Sequence, residues 1–201
     1  MVGMISGQEA GEIIVSMLAI ALALSIANTI GGGGINQPIE FAYYFGLFLL
    51  VVGPAFVLHE LGHRFVARKY GAYAVYKAWP AGLLLMLLMS VTGFIFAAPG
   101  AVYIFSPYIT RKENGIISLA GPAVNLVLAG ISGLAMLFLA PTNGILSTIA
   151  NYSLFINVFL GGFNMLPIFP LDGSKVIAWN MEVWVAFFGI FLALFVWLRM
   201  F

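Results

Sequence analysis

Apolar residues in this chain do not alternate with polar ones at the short periods of a soluble helix or strand; they run together. Four long apolar segments, 11–30, 40–62, 115–140 and 145–169, are followed by a fifth at 182–198 that closes on "WLRMF". Each approaches or exceeds the roughly 20 residues that a helix needs to cross a hydrocarbon core. "GGGGINQP" at 31–38 and "APTNG" at 140–144 carry turn residues between the helices they separate. Such short connections predict antiparallel neighbours. No internal repeat, soluble insert or low-complexity linker interrupts the pattern. The expectation is an all-α polytopic membrane protein of about five transmembrane helices, forming a single membrane-embedded domain over residues 1–201.

The stretch 80–105, "PAGLLLMLLMSVTGFIFAAPGAVYIF", departs from this pattern. Its first half reads as helix. Its second half is aromatic and β-branched around "APGA", which predicts a hairpin turning at Pro99-Gly100. Charge decides between a crossing and an element that dips in and returns. Arg64, Arg68, Lys69 and Lys77 precede the stretch, and Arg111 and Lys112 follow it. The positive-inside rule places all six on the cytoplasmic side, which demands an even number of crossings between 77 and 111. A membrane re-entrant β-hairpin meets that demand if its backbone is buried in protein or faces water. An extended substrate could add to its edge, at positions such as Ile95 or Val102, through main-chain hydrogen bonds.

Composition agrees with the bilayer as solvent. Of 201 residues, 63% are hydrophobic and only 7% are charged, and the mean hydropathy is +1.09. A net charge of +1 gives no reason to expect nucleic acid as a partner. The absence of cysteine excludes disulfides and thiolate metal sites. Residues 1–12 hold Glu9 and Glu12 but no Lys or Arg. The first apolar segment is therefore expected to stay in the membrane as a helix, not to leave as a signal peptide.

Against this background "HELGH" at 59–63 stands out. It follows a run, 41–58, without a single charge, and it contains both histidines of the chain. Ionisable groups in a membrane helix are costly and mark functional sites by default. On a helix, His59 and His63 lie on one face and can bind one cation through a ring nitrogen each. Glu60, about 100° round the helix, can take a proton from water activated by the metal. Gly62 leaves room for a neighbouring backbone.

A catalytic zinc site needs a third protein ligand, and without further His or Cys it must be a carboxylate. Glu9 and Glu12 precede the first span, Glu40 opens the second at its far end, Glu113 adjoins Lys112, and Glu182 suits a helix N-terminus. Asp172, in "GGFNMLPIFPLDGSK", falls at the end of the fourth segment on the same side as the histidines. Pro167 and Pro170 disrupt the helix there. His59, His63 and Asp172 are the expected ligands. Such a set also suits Fe(II), so residue types alone do not choose the metal.

"HELGH" on one membrane helix and "NMLPIFPLDG" on a later one resemble the site-two protease family of intramembrane zinc metalloproteases. Asn164, Pro167, Asp172 and Gly173 fall on that family's N-x-x-P-x-x-x-x-D-G motif. Gly121, Pro122 and Asn125 of "AGPAVN" look like its G-P-x-x-N segment. The resemblance covers about residues 40–180. It implies one Zn2+ per chain on His59, His63 and Asp172, with Glu60 as general base and Asn164 and Asn125 serving the substrate. It further implies cleavage of transmembrane protein substrates near the cytoplasmic face of the cell membrane. Two other functions are compatible with an HExxH helix. A peptidase for prenylated C-terminal peptides would not need "LDG". A non-catalytic metal carrier would string several polar sites along a path, whereas this chain has one cluster.

Overall fold

A computed structural model describes residues 5–30, 38–95, 99–139 and 144–200. Its helices are α1 (Gly7–Thr29), α2 (Pro38–Lys69), α3 (Pro80–Ser90), α4 (Arg111–Leu139), α5 (Ile145–Asn164), α6 (Asp172–Trp179) and α7 (Met181–Met200). Strands β1 (Tyr73–Ala78) and β2 (Gly100–Phe105) form a two-stranded sheet. Five of these helices, α1, α2, α4, α5 and α7, are long and apolar enough to cross a membrane. The protein is an all-α, multi-pass membrane protein with one small sheet. Most of "GGGGINQP" and "APTNG" lies outside the described residues, but Pro38 starts α2 and Gly144 caps α5.

Contacts divide the chain into two compact units, one of residues 3–57 and 75–103, the other of residues 58–74 and 104–201. In the first, α1 begins at a capping serine, Ser6, whose hydroxyl accepts the Glu9 N–H at 3.1 Å. Its buried face includes Ile13, Ile20, Ala21 and Ala23. In the second, α4 and α5 pack through Ala129, Leu154 and Val158. Met165, Val176 and Phe191 form another core there, all at most 1% exposed. Burying a side chain the size of methionine or phenylalanine contributes roughly 1.5–3 kcal/mol. That second core fixes the turn between α5 and α6.

The sheet corrects the expected hairpin. Residues 100–105 pair with 73–78, which precede α3. The Trp79 N–H donates to the Pro99 carbonyl at 3.0 Å. At the other end the Tyr73 and Phe105 rings lie 6.0 Å apart, so the strands run antiparallel. Gly100 sits at φ +153°, and a Cβ there would collide with the Tyr76 hydroxyl and the Lys77 carbonyl. The glycine thus admits a close strand approach and is not the tip of a local turn. Val102 lies in β2; Ile95 follows α3 outside either strand.

This pairing also settles the path of the segment. The 11 residues of α3 rise only about 16 Å, half of a hydrocarbon core. Tyr73 and Phe105 would stand a bilayer apart after a single crossing, yet their rings touch. Its two ends therefore lie at one level.

The ends of the apolar segments differ in one further way. The fourth was read as extending to 169, but α5 stops at Asn164, and Asp172 opens a separate short helix, α6. Pro167 and Pro170 lack the N–H that an α-helical ladder requires.

Candidate metal centre

The centre is built within the second unit, from α2, α4, α5 and α6. His59 and His63 stand one turn apart on α2, and their Nε2 atoms are 3.0 Å from each other. Asp172 Oδ2 lies 3.4 Å from the first and 3.1 Å from the second. All three residues are buried, and together they offer one ligand atom each within reach of a single ion.

The outer nitrogens explain why the inner ones face each other. His63 Nδ1–H donates to the Ile117 carbonyl at 2.8 Å. His59 Nδ1–H donates to Asn125 Oδ1 at 2.6 Å. Both rings thereby hold the tautomer that leaves a lone pair on Nε2. Two such lone pairs and a carboxylate oxygen repel at these distances unless a cation lies among them. A tetrahedral ion with bonds of ~2.0–2.1 Å has ligand–ligand edges of about 3.3 Å. Separations of 3.0, 3.1 and 3.4 Å match three such corners. The donor set fits a first-row divalent metal.

α4 supplies the support from one stripe, at Ile117, Gly121 and Asn125. A Cβ at Gly121 would collide with His63 Nε2 and lie 2.6 Å from His59 Nε2. On the facing helix, a Cβ at Gly62 would sit 3.1 Å from the Ala120 carbonyl oxygen. Glycine on both sides lets the two backbones close on the ligand atoms, as the spacing of "HELGH" led one to expect for Gly62.

Asn125 is fully buried, behind His59. Its Nδ2 donates to Asn157 Oδ1 at 2.9 Å, and Asn157 Nδ2 donates to the Ser153 carbonyl at 2.8 Å. That relay fixes which way the Asn125 amide points. The sequence reading passed over Asn157. Its signal was an uncharged polar residue in mid-span, which hydrocarbon tolerates only with a partner at hand.

Asp172 is positioned by the turn that precedes it. The Met165 carbonyl receives the Trp184 indole N–H at 2.8 Å, and the Leu171 N–H closes a turn onto the Ile168 carbonyl at 2.8 Å. Asp172 Oδ2 faces the two Nε2 atoms. Lys175 Nζ stands 3.6 Å from its other oxygen. The aspartate is the third member of a group that could hold a metal ion.

Glu60 is buried at 8% exposure and does not join the three ligand atoms. Asn164 ends α5, where its Nδ2 donates to the Leu160 carbonyl at 3.0 Å. Of the carboxylates set aside as ligands, Glu9 and Glu12 receive backbone N–H groups of β1. Glu113 closes a capping box with Thr110.

A multi-pass membrane protein whose HExxH helix meets a buried aspartate belongs, by these features, with membrane metalloenzymes. No protein-family model matches the chain, and no solved structure does. Curated relatives do match. "Putative zinc metalloprotease MJ0611" of Methanocaldococcus jannaschii is 44% identical over 180 residues, 89% of this chain and 88% of the relative. A protein of Mycolicibacterium smegmatis described in the same words, Rip2, is 34% identical over 170 residues, 75% of this chain and 66% of its own length. "Zinc metalloprotease MJ0392" of M. jannaschii is 29% identical over 165 residues, 80% of this chain and 40% of the relative. The chain belongs to the family of these zinc metalloproteases.

Proposed function

We infer that this protein is an intramembrane endopeptidase of the site-two type, dependent on one zinc ion, that cuts transmembrane segments of other membrane proteins near the cytoplasmic face of the cell membrane. The observation that carries this reading is the set of three buried lone-pair atoms at tetrahedral spacing, on a membrane-spanning helix that also carries Glu60. Zinc held by His59, His63 and Asp172 would supply Lewis acidity toward water and the scissile carbonyl.

The rest of the chemistry falls to the chain. Glu60, adjacent to a ligand yet not one of the three, is assigned as the general base that accepts a proton from water and passes it to the leaving amine. Asn125 and the Ile117 carbonyl hold the imidazoles so that neither ring turns its N–H toward the centre. A helical substrate keeps its carbonyls in internal hydrogen bonds, so the scissile stretch must be held extended, and its freed backbone groups need partners. Asn164 and the sheet β1–β2, with Val102 in it, are assigned to that task.

The test separates chemistry from binding. Glu60→Gln keeps the ligands and removes the base. The purified variant should retain one zinc per chain by metal analysis and lose cleavage of a membrane-embedded reporter. Normal cleavage by Glu60→Gln would exclude this mechanism.

A further inference from the structure

Strand β1 has two edges, and backbone groups alternate between them along the strand. The N–H of Trp79 points to the edge shared with β2, where it meets the Pro99 carbonyl at 3.0 Å. Residues of the other parity, Ala74, Tyr76 and Ala78, therefore point to the opposite edge. No strand lies there among the described residues; side chains do. The Tyr76 N–H donates to Glu9 Oε1 at 3.0 Å, and the Ala78 N–H to Glu12 Oε2 at 2.8 Å. The Ala74 carbonyl accepts from Arg68 Nη2 at 2.9 Å. The two glutamate oxygens stand opposite the Tyr76 and Ala78 donors, as the carbonyls of a third strand would.

The docking face of α1 is built for this. Glu9, Glu12 and Ser16 recur at helical spacing on one face. Ser16 Oγ accepts the Tyr76 hydroxyl at 2.8 Å and donates to the Pro99 carbonyl at 3.4 Å. Glu9 is only 3% exposed. Ionised carboxylates form hydrogen bonds roughly twice as strong as those of neutral acceptors. A peptide carbonyl offered to the same N–H groups would have to displace a stronger partner.

We propose that Glu9 and Glu12 stand in for a third strand along β1 and close that edge to extended peptides, which makes the two glutamates positioning residues for the substrate. The substrate half of this statement rests on the reading of the protein as an intramembrane peptidase. The closing of the edge does not. Its physical logic is that of natural sheets, which protect exposed strand edges with charged side chains against pairing by other chains.

Amide hydrogen exchange, measured on the purified full chain without substrate, tests the latch directly. Glu9→Ala/Glu12→Ala should speed exchange at Tyr76 and Ala78 by roughly tenfold or more, as loss of hydrogen bonds to charged acceptors implies. Trp79, bonded to Pro99, should keep its rate. Glu12→Ala alone, at a half-buried position, should speed Ala78 and spare Tyr76, and it serves if the double variant does not fold. Unchanged exchange at Ala78 in Glu12→Ala overturns the latch. For the substrate half, Lys77→Cys is placed in a Glu60→Gln background with a single-cysteine transmembrane reporter. Disulfide trapping should occur with the glutamate pair removed and not with it present; equal trapping in both overturns the positioning role. Because exchange is read without turnover, its failure is separate from any failure of the peptidase reading.

Discussion

Asn125 is where the structure most changes what a substitution should do. Alanine at this position removes the acceptor 2.6 Å from His59 Nδ1 and the donor 2.9 Å from Asn157 Oδ1. The first loss frees His59 to protonate Nε2 in place of Nδ1, which turns a metal ligand into a donor. Loss of such an outer partner costs about 10–100-fold in metal affinity, or roughly 1.4–2.7 kcal/mol. The second loss takes a donor from a carbonyl oxygen on a residue only 1% exposed. A buried acceptor deprived of its partner costs about 1–3 kcal/mol of stability. Asn125→Asp separates the two effects. It keeps an acceptor for His59 but offers Asn157 a second acceptor where it had a donor.

The assay is chelator competition for zinc on purified protein in micelles, paired with thermal unfolding of the metal-free form. Asn125→Ala should weaken zinc binding and lower the unfolding temperature. Asn125→Asp should hold zinc near the wild-type affinity and still unfold early. If Asn125→Ala bound zinc as tightly as wild type while KM for a membrane reporter rose, the tautomer reasoning would fail. The residue would then return to the substrate-binding role that the sequence motif suggested.

Gly121→Ala should strip zinc from the site, because its Cβ would meet both Nε2 atoms. Gly130→Ala on the same helix, with nothing within 4 Å of a Cβ, should keep the metal and serve as control; full zinc after dialysis of the Gly121 variant would refute the close crossing. For topology, single cysteines at positions 70 and 108, in a chain that has none, should be labelled from the same membrane face. Labelling of position 108 from the opposite face alone would contradict the returning path of residues 73–105.

The parts of this protein that were legible in the sequence are those where residue type alone conflicts with its surroundings. His59, Glu60 and His63 were visible because a charge-free run precedes them. Asp172 was visible because every other carboxylate had a simpler place, and two prolines broke the helix beside it. The hairpin was misread for a physical reason. "APG" is a strong local turn signal, whereas the true partner of β2, "YAVYKA", lies before α3, and local signals carry no information about pairing across an intervening helix. Asn125 was found by its motif, which fixes a position on a helix but not that its side chain meets His59. Asn157 carried only the weak signal of an amide in mid-span. Glu9 and Glu12 were set aside as ligands, but their bonds to β1 could not be read without knowing that β1 exists.

The polar residues buried in this chain also show why so few suffice. In hydrocarbon, a lone amide or hydroxyl has no water to turn to, so each must be satisfied by another part of the protein. Among the described residues no buried side-chain nitrogen or oxygen lacks a partner. Around the metal centre the partners form a line, from His59 to Asn125 to Asn157 to the Ser153 carbonyl, which crosses α2, α4 and α5. Each link fixes the orientation of the next, so the tautomer of a ligand on one helix is set by an amide two helices away. The same links tie the helices together, because breaking any one leaves a buried group unpaired at a cost of about 1–3 kcal/mol. Ligand geometry and helix packing are thus held by the same bonds. Asn157, outside any motif, is thus tied through Asn125 to the orientation of the His59 ring.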